Sequence, residues 1–133
     1  MNDREKSVKR FEEWEHYALE DEEIIKITLQ EDGPPNQICL HVQQMAEKYL
    51  KGFLAFHKNA PFKTHQLDQL ILECAKHDDA FLELKKDAVN LNDFYIEARY
   101  PGDIPEFYLQ DAQEGYAAAK KIKDFVISKV KNS

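Results

Sequence analysis

Apolar residues recur at three- and four-residue steps along most of this chain. No stretch of strand length shows the two-residue alternation of a half-buried strand. The strongest pattern is 38–56, ICLHVQQMAEKYLKGFLAF. Ile38, Val42, Met45, Tyr49, Phe53 and Phe56 fall on one helical face, and Cys39, Ala46, Leu50 and Leu54 widen it to an arc of roughly 160°. An arc that wide suits a central helix touched by two or three others, or one that also packs on a second subunit. Gln43 projects between Leu50 and Leu54, and Glu47 lies just beyond Leu54. Polar groups at the edge of a buried face need partners, so both are candidates for a polar network or a site. His41, Gln44, Lys48 and Lys51 take the far side.

The rest of the chain reads as four more helices. The first runs from about Asp3 to Gln30, with Phe11, Trp14, Ala18, Asp21, Ile25 and Thr28 or Leu29 as its inner stripe. Asp21 interrupts that stripe, either at its edge in water or paired inside. Glu31-Asp32-Gly33-Pro34-Pro35 turns the chain, with Gly33 as the stop and Asn36 as cap of the central helix. The segment 57–63 is a loop punctuated by Pro61. Thr64 caps a short third helix with Leu67, Leu70, Ile71 and Cys74 or Ala75 inward. Asp78 or Asp79 caps a fourth, whose Phe81, Leu84, Ala88, Leu91, Tyr95 and Ala98 carry it to Arg99-Tyr100-Pro101. Asp103 and Glu106 have capping-box spacing for a fifth, which buries Leu109, Ala112, Tyr116, Ala119, Ile122, Val126 and Val130. Long, long, short, medium, long, with loops under ten residues, predicts an all-α, up-and-down four-helix-type bundle with one short additional helix.

Composition narrows the function classes. At 133 residues and 43% hydrophobic, the chain has the size of one domain, 1–133, with an ordinary core. No run approaches a membrane span, and MNDREKSVKR lacks the apolar core of a signal peptide, so the expected location is cytoplasmic. Cys39 and Cys74 lie on apolar faces and are expected as buried thiols, with a disulfide as the alternative. A net charge of −7 argues against coating nucleic acid by charge alone. The charge is uneven, however. Glu12, Glu13, Glu15, Glu20, Asp21, Glu22, Glu23, Glu31 and Asp32 face one lysine, Lys26. Between His41 and His65, Lys48, Lys51, Lys58 and Lys63 face Glu47 alone. These are either solvated faces or, near the central helix, a basic surface that meets phosphates.

Several chemistries are excluded on pattern. The five histidines show no metal-ligand spacing, and there is no Gly-rich phosphate loop or serine elbow, so neither metal nor cofactor is expected. Arg10 and His16 invite pairing as a nuclease motif. Six helical steps leave them about 120° apart, so they cannot converge on one phosphate.

His41-Val42-Gln43-Gln44-Met45-Ala46-Glu47-Lys48-Tyr49-Leu50-Lys51 resembles the signature helix of the HEPN family. Trp14…Ala18…Asp21, Thr64-His65-Gln66-Leu67…Leu70 and Tyr95…Arg99-Tyr100-Pro101 resemble its first, third and fourth helices, in order. The resemblance covers nearly the whole chain. It implies a commonly dimeric helical module, here a homodimer, of the kind encoded beside a minimal nucleotidyltransferase in toxin–antitoxin-like pairs. Such a module would bind a nucleotide, an RNA segment or the transferase itself. Catalytic members carry Arg-x(4–6)-His at the end of the fourth helix. Arg stabilises phosphate charge there and His moves a proton. Arg99 occupies that place, but positions 104 to 106 are Ile104, Pro105 and Glu106. The ribonuclease site is therefore incomplete, and the reading leans away from an enzyme. The candidate ligand residues are His41, Gln43, Gln44, Glu47, Lys48, His65, Tyr95, Arg99 and Tyr100. In a structural version of this cluster, Glu47 pairs with a cation such as Arg99. Two alternatives stand beside the binding module: a divergent ribonuclease using Arg99 with Tyr95 or His65, and a purely structural interaction protein.

Overall fold

The computed structural model describes residues 1–59 and 62–133. Ala60 and Pro61, including the expected punctuation at Pro61, lie outside them. Among the described residues five α-helices follow one another: α1 Asp3–Gln30, α2 Pro35–Phe56, α3 Leu67–Ala75, α4 Lys85–Asn92 and α5 Leu109–Lys131. Short 3-10 segments cover Asp79–Leu84 and Pro101–Asp103, and no strand occurs among the described residues. The all-α bundle is as the periodicity predicts.

α2 is the hub, packed against α1, α5 and α3. Ile38, Val42, Met45, Tyr49, Leu50 and Phe53 are all buried. The wide apolar arc is thus covered within the chain, which removes its width as a reason for a second subunit. α5 closes the bundle with Ala112, Gly115, Ala119, Ile122, Val126 and Val130. Both cysteines are free and buried, and burial pushes the Cys39 thiol up to about 12.

Several boundaries differ from expectation. α1 ends as predicted, but Asp32 takes the left-handed conformation (φ 53°). Gly33 serves by lacking a Cβ, which would sit 2.5 Å from Thr28 Cγ2. Asn36 is not a cap. Its side chain donates to Pro105 O (2.9 Å) and accepts from Phe107 N (2.9 Å), pinning the chain before α5. Thr64 Oγ1 accepts from Gln66 N, and α3 begins only at Leu67.

The largest difference is α4. It stops at Asn92 rather than running to Tyr100, so the connection to α5 exceeds ten residues. Asn92 Oδ1 accepts from Leu67 N (2.7 Å) and its Nδ2 donates to Asp68 Oδ1 (2.7 Å), so it caps α3 from a neighbouring element. Beyond it Phe94 turns inward against Phe107 and Gly115. Ala98 is exposed and Tyr95 half-buried, not core. α5 starts at Leu109, itself largely exposed, where Asp111 accepts from Tyr108 N (2.8 Å). The Asp103–Glu106 box is not formed, because Pro101–Asp103 makes a 3-10 turn and Ile104 is extended before Pro105.

Candidate functional site

Six residues of helix turn a side chain by about 120°, so α2 presents its polar residues on two edges. The predicted single cluster is two. On one edge His41 Nδ1 lies 2.9 Å from Asp21 Oδ1, and Lys48 Nζ donates to Asp21 Oδ2. The carboxylate that interrupts the α1 stripe is therefore paired inside, between a histidine and an ammonium. This edge ties α1 to α2.

The second edge is built around Glu47. Lys51 Nζ donates to Oε2 (2.9 Å), Gln43 Nε2 donates to Oε1 (3.1 Å), and His65 Nδ1 lies 3.0 Å from Oε1. Gln43 Nε2 also reaches His65 O (3.0 Å), and Gln44 Nε2 donates to Gln43 Oε1 (2.7 Å). Lys51 belongs to this network rather than to the solvent face expected of it. Its residue is only 8% exposed, and its ammonium lies over the Trp14 ring at 5.9 Å. The Glu-x3-Lys spacing of Glu47 and Lys51 was the available signal. Arg99 is not the partner of Glu47. That carboxylate is filled by Lys51, Gln43 and His65.

His65 is held from three sides. Gln43 fixes its backbone carbonyl, Glu47 fixes Nδ1, and the ring stacks on Tyr95 with centroids 4.4 Å apart and planes at 20°. A carboxylate only accepts, so Nδ1 is the donor in this contact, and in the neutral tautomer that fits it the lone pair stands on Nε2. Nε2 has no partner among the described residues. Burial, followed by the charges of Glu97 and Glu47, raises the Tyr95 phenol above its ordinary range, so it remains protonated.

His65 and Tyr95 line an open cavity of about 540 Å³ with Lys63, Thr64, Asn92, Asp93 and Arg99. The Arg99 guanidinium takes part in no hydrogen bond or ion pair among the described residues, and its backbone closes a turn on Ile96 O. Because α4 ends early, Arg99 reaches the cavity from an irregular segment rather than a helix end. Tyr100 is 82% exposed and does not line the cavity. Asn92 and Asp93 are part of its wall.

The basic surface expected near α2 is smaller than its lysine count. Lys48 and Lys51 are neutralised by Asp21 and Glu47, which leaves Lys58 and Lys63 exposed. Arg10 is also unavailable: its Nε donates to Ala55 O (2.8 Å) at the end of α2, while His16 is exposed beside Glu20. No group of three or more potential metal ligands occurs among the described residues. No helix among them is long and apolar enough to cross a membrane.

A profile of the HEPN domain matches residues 11–130. The chain belongs to the HEPN domain family. No curated protein and no solved structure gives a match to it. The HEPN match spans α1 through α5, so the His65–Tyr95–Arg99 cavity and the Glu47 network both lie within the domain. The Arg-x(4–6)-His pair of catalytic HEPN proteins is incomplete here, since the positions where the histidine would stand are Ile104, Pro105 and Glu106.

Proposed function

We propose that this HEPN protein binds a nucleotide or RNA phosphate in the cavity lined by His65, Tyr95 and Arg99. The observation that carries this reading is the Arg99 guanidinium. A guanidinium presents a fork of donors suited to two parallel bonds with one phosphate, and this one has no protein partner among the described residues. Lys63 adds positive charge at the rim, and the Tyr95–His65 stack offers a flat surface for a base. Gln43, Gln44 and Glu47 support the site through His65. His41 and Lys48, bound to Asp21, serve the α1–α2 contact instead.

Titration with ATP and with a short single-stranded RNA tests this. Arg99→Ala should weaken binding about tenfold or more, matching about 1.5–3 kcal/mol for a hydrogen bond to a charged group, with little change in unfolding midpoint. Lys48→Ala should leave binding unchanged. Equal affinity of Arg99→Ala and wild type would overturn the assignment. A homodimer, a nucleotidyltransferase partner and a toxin–antitoxin-like role belong to the same proposal and rest on the HEPN resemblance. Sedimentation at tens of micromolar and co-purification with a neighbouring transferase are their tests.

One observation favours a second reading, a divergent metal-independent ribonuclease. Glu47 holds His65 at Nδ1, Nε2 has no partner among the described residues, and His65 lines the same cavity as Arg99. Nε2 would take the proton of a ribose 2′-hydroxyl as O2′ attacks phosphorus, then return it to the departing 5′-oxygen, leaving a cyclic 2′,3′-phosphate. RNA cleavage in chelator, lost in His65→Ala, is the expected sign. Binding without cleavage would leave the first reading alone.

A further inference from the structure

The outer face of α1 carries a second pattern, independent of the cavity. Residues 13, 17, 20, 24, 27 and 31 alternate steps of four and three, so they form one seam about 27 Å long. Its positions are Glu13, Tyr17, Glu20, Ile24, Ile27 and Glu31. The seam points away from the buried Phe11, Ala18 and Ile25. Tyr17 is 56% exposed, Ile24 43% and Ile27 49%. A lone exposed isoleucine is ordinary. Three apolar residues on a three–four seam are the register in which a second helix packs.

Charge says what kind of helix. Two acids of this stretch are neutralised internally: Asp21 by His41 and Lys48, and Glu22 by Lys123 and Tyr116. Glu12, Glu13, Glu20, Glu23, Glu31 and Asp32 remain exposed, against Lys26. A second copy of the chain fits poorly. An antiparallel two-fold pairing sets Glu13 against Glu31 twice, and a parallel one sets each seam glutamate against itself. Nucleic acid and anionic membranes are repelled by the same charges.

We propose that this face of α1 docks a basic amphipathic helix of another protein. The partner helix has apolar residues at three–four spacing to cover Tyr17, Ile24 and Ile27. Flanking lysines or arginines meet Glu13, Glu20 and Glu31. Such a partner gains apolar burial and charge complementarity together.

The probe is a fluorescein-labelled synthetic helix with leucines at alternating three- and four-residue steps, flanked by lysines. Controls are a scrambled peptide of identical composition and a glutamate-flanked counterpart. The lysine-flanked helix is expected to bind the full chain at least about tenfold more tightly than the scrambled one, a 1.4 kcal/mol difference, and less tightly as salt rises. Ile24→Glu with Ile27→Glu should abolish that preference. Glu13→Lys with Glu20→Lys and Glu31→Lys should transfer it to the glutamate-flanked peptide. All these positions are exposed, and circular dichroism verifies that each variant is folded. Equal binding of scrambled and patterned peptides overturns the proposal, as does binding indifferent to the isoleucine substitutions. A wild-type dimer dissociated by those substitutions overturns it too, because the face would then belong to a second copy.

Discussion

Removing the Glu47 carboxylate should expose how the central helix tolerates its buried charge. Glu47 and Lys51 are both nearly sealed from solvent, with side-chain exposures of 7% and 8%. Glu47→Ala leaves the Lys51 ammonium buried without its counter-ion, and leaves Gln43 and His65 Nδ1 without their shared acceptor. Breaking a buried pair from one side costs about 3–5 kcal/mol, against a total stability of about 5–15 kcal/mol for a domain. Most of that cost comes from the orphaned ammonium, so removing it as well should relieve the damage. Lys51→Met keeps an apolar stem of similar length and deletes the charge. The double variant should therefore be at least about 2 kcal/mol more stable than the two single losses sum to, an interaction expected of residues in one network. Urea unfolding followed by tryptophan fluorescence measures this, since Trp14 is the only tryptophan and lies 5.9 Å from Lys51 Nζ. A Glu47→Ala cost under about 1 kcal/mol, or simple additivity in the cycle, would refute the reasoning and show the pair to be solvated.

Tyr49, fully buried on the inner face of α2, should cost about 3 kcal/mol or more when cut to Ala; a loss under about 0.5 kcal/mol would misassign the face. Gly115→Ala should destabilise by about 1–3 kcal/mol, because the added Cβ would lie 2.3 Å from Phe94 Cε2; an unchanged urea midpoint would show that the Phe94 loop gives way freely. For Glu22, burial raises the carboxyl's pKa, but the bonds from Lys123 and Tyr116 outweigh it and hold it below the usual carboxylate range. Its contribution is therefore complete above about pH 4.5, the carboxylate's ordinary value, and fades as pH falls through the lower folded value; Glu22→Gln should flatten that acid limb in a pH series of unfolding midpoints, and an identical limb in both proteins would assign the acid sensitivity elsewhere.

The helices that pack on α2 were legible because each carries a regular apolar stripe, long in α1 and α5 and short in α3. α1 ends where its pattern ends, and the apolar face of Ile38 to Phe56 is buried as the arc requires. What was illegible depends on single side chains reaching between elements. Nothing local stops α4 at Asn92. Phe81, Leu84, Ala88 and Leu91 keep the period, and Tyr95 and Ala98 continue it on paper. The stop comes from the α3 N-terminus, whose Leu67 amide needs an acceptor and finds it in Asn92. Asn36 was misread for the same reason, since its partners at Pro105 and Phe107 are about seventy residues away in the chain. The polar residues of α2 stand out in the sequence, but pairing them required knowing which neighbour stands on each edge. Asp21 on α1 claims His41 and Lys48, and the His65 loop claims Glu47.

That division bears on why the Arg99 cavity exists at all. Had α4 continued to Tyr100, Arg99 would stand on a helix end beside a packed stripe. Instead Asn92 is drawn to α3, Phe94 drops into the space over Gly115, and the chain from Tyr95 to Arg99 is left spanning the gap to the α3 entrance. His65 sits at that entrance because Gln43 and Glu47 hold it there. Had Arg99 been the counter-ion of Glu47, the cavity would have lost both a guanidinium without a partner among the described residues and the carboxylate that orients the imidazole. Lys51, four residues along the same helix, takes that electrostatic duty from within α2. The buried Glu47–Lys51 pair is thus what permits an arginine and an oriented histidine to share one open cavity without neutralising each other's partners.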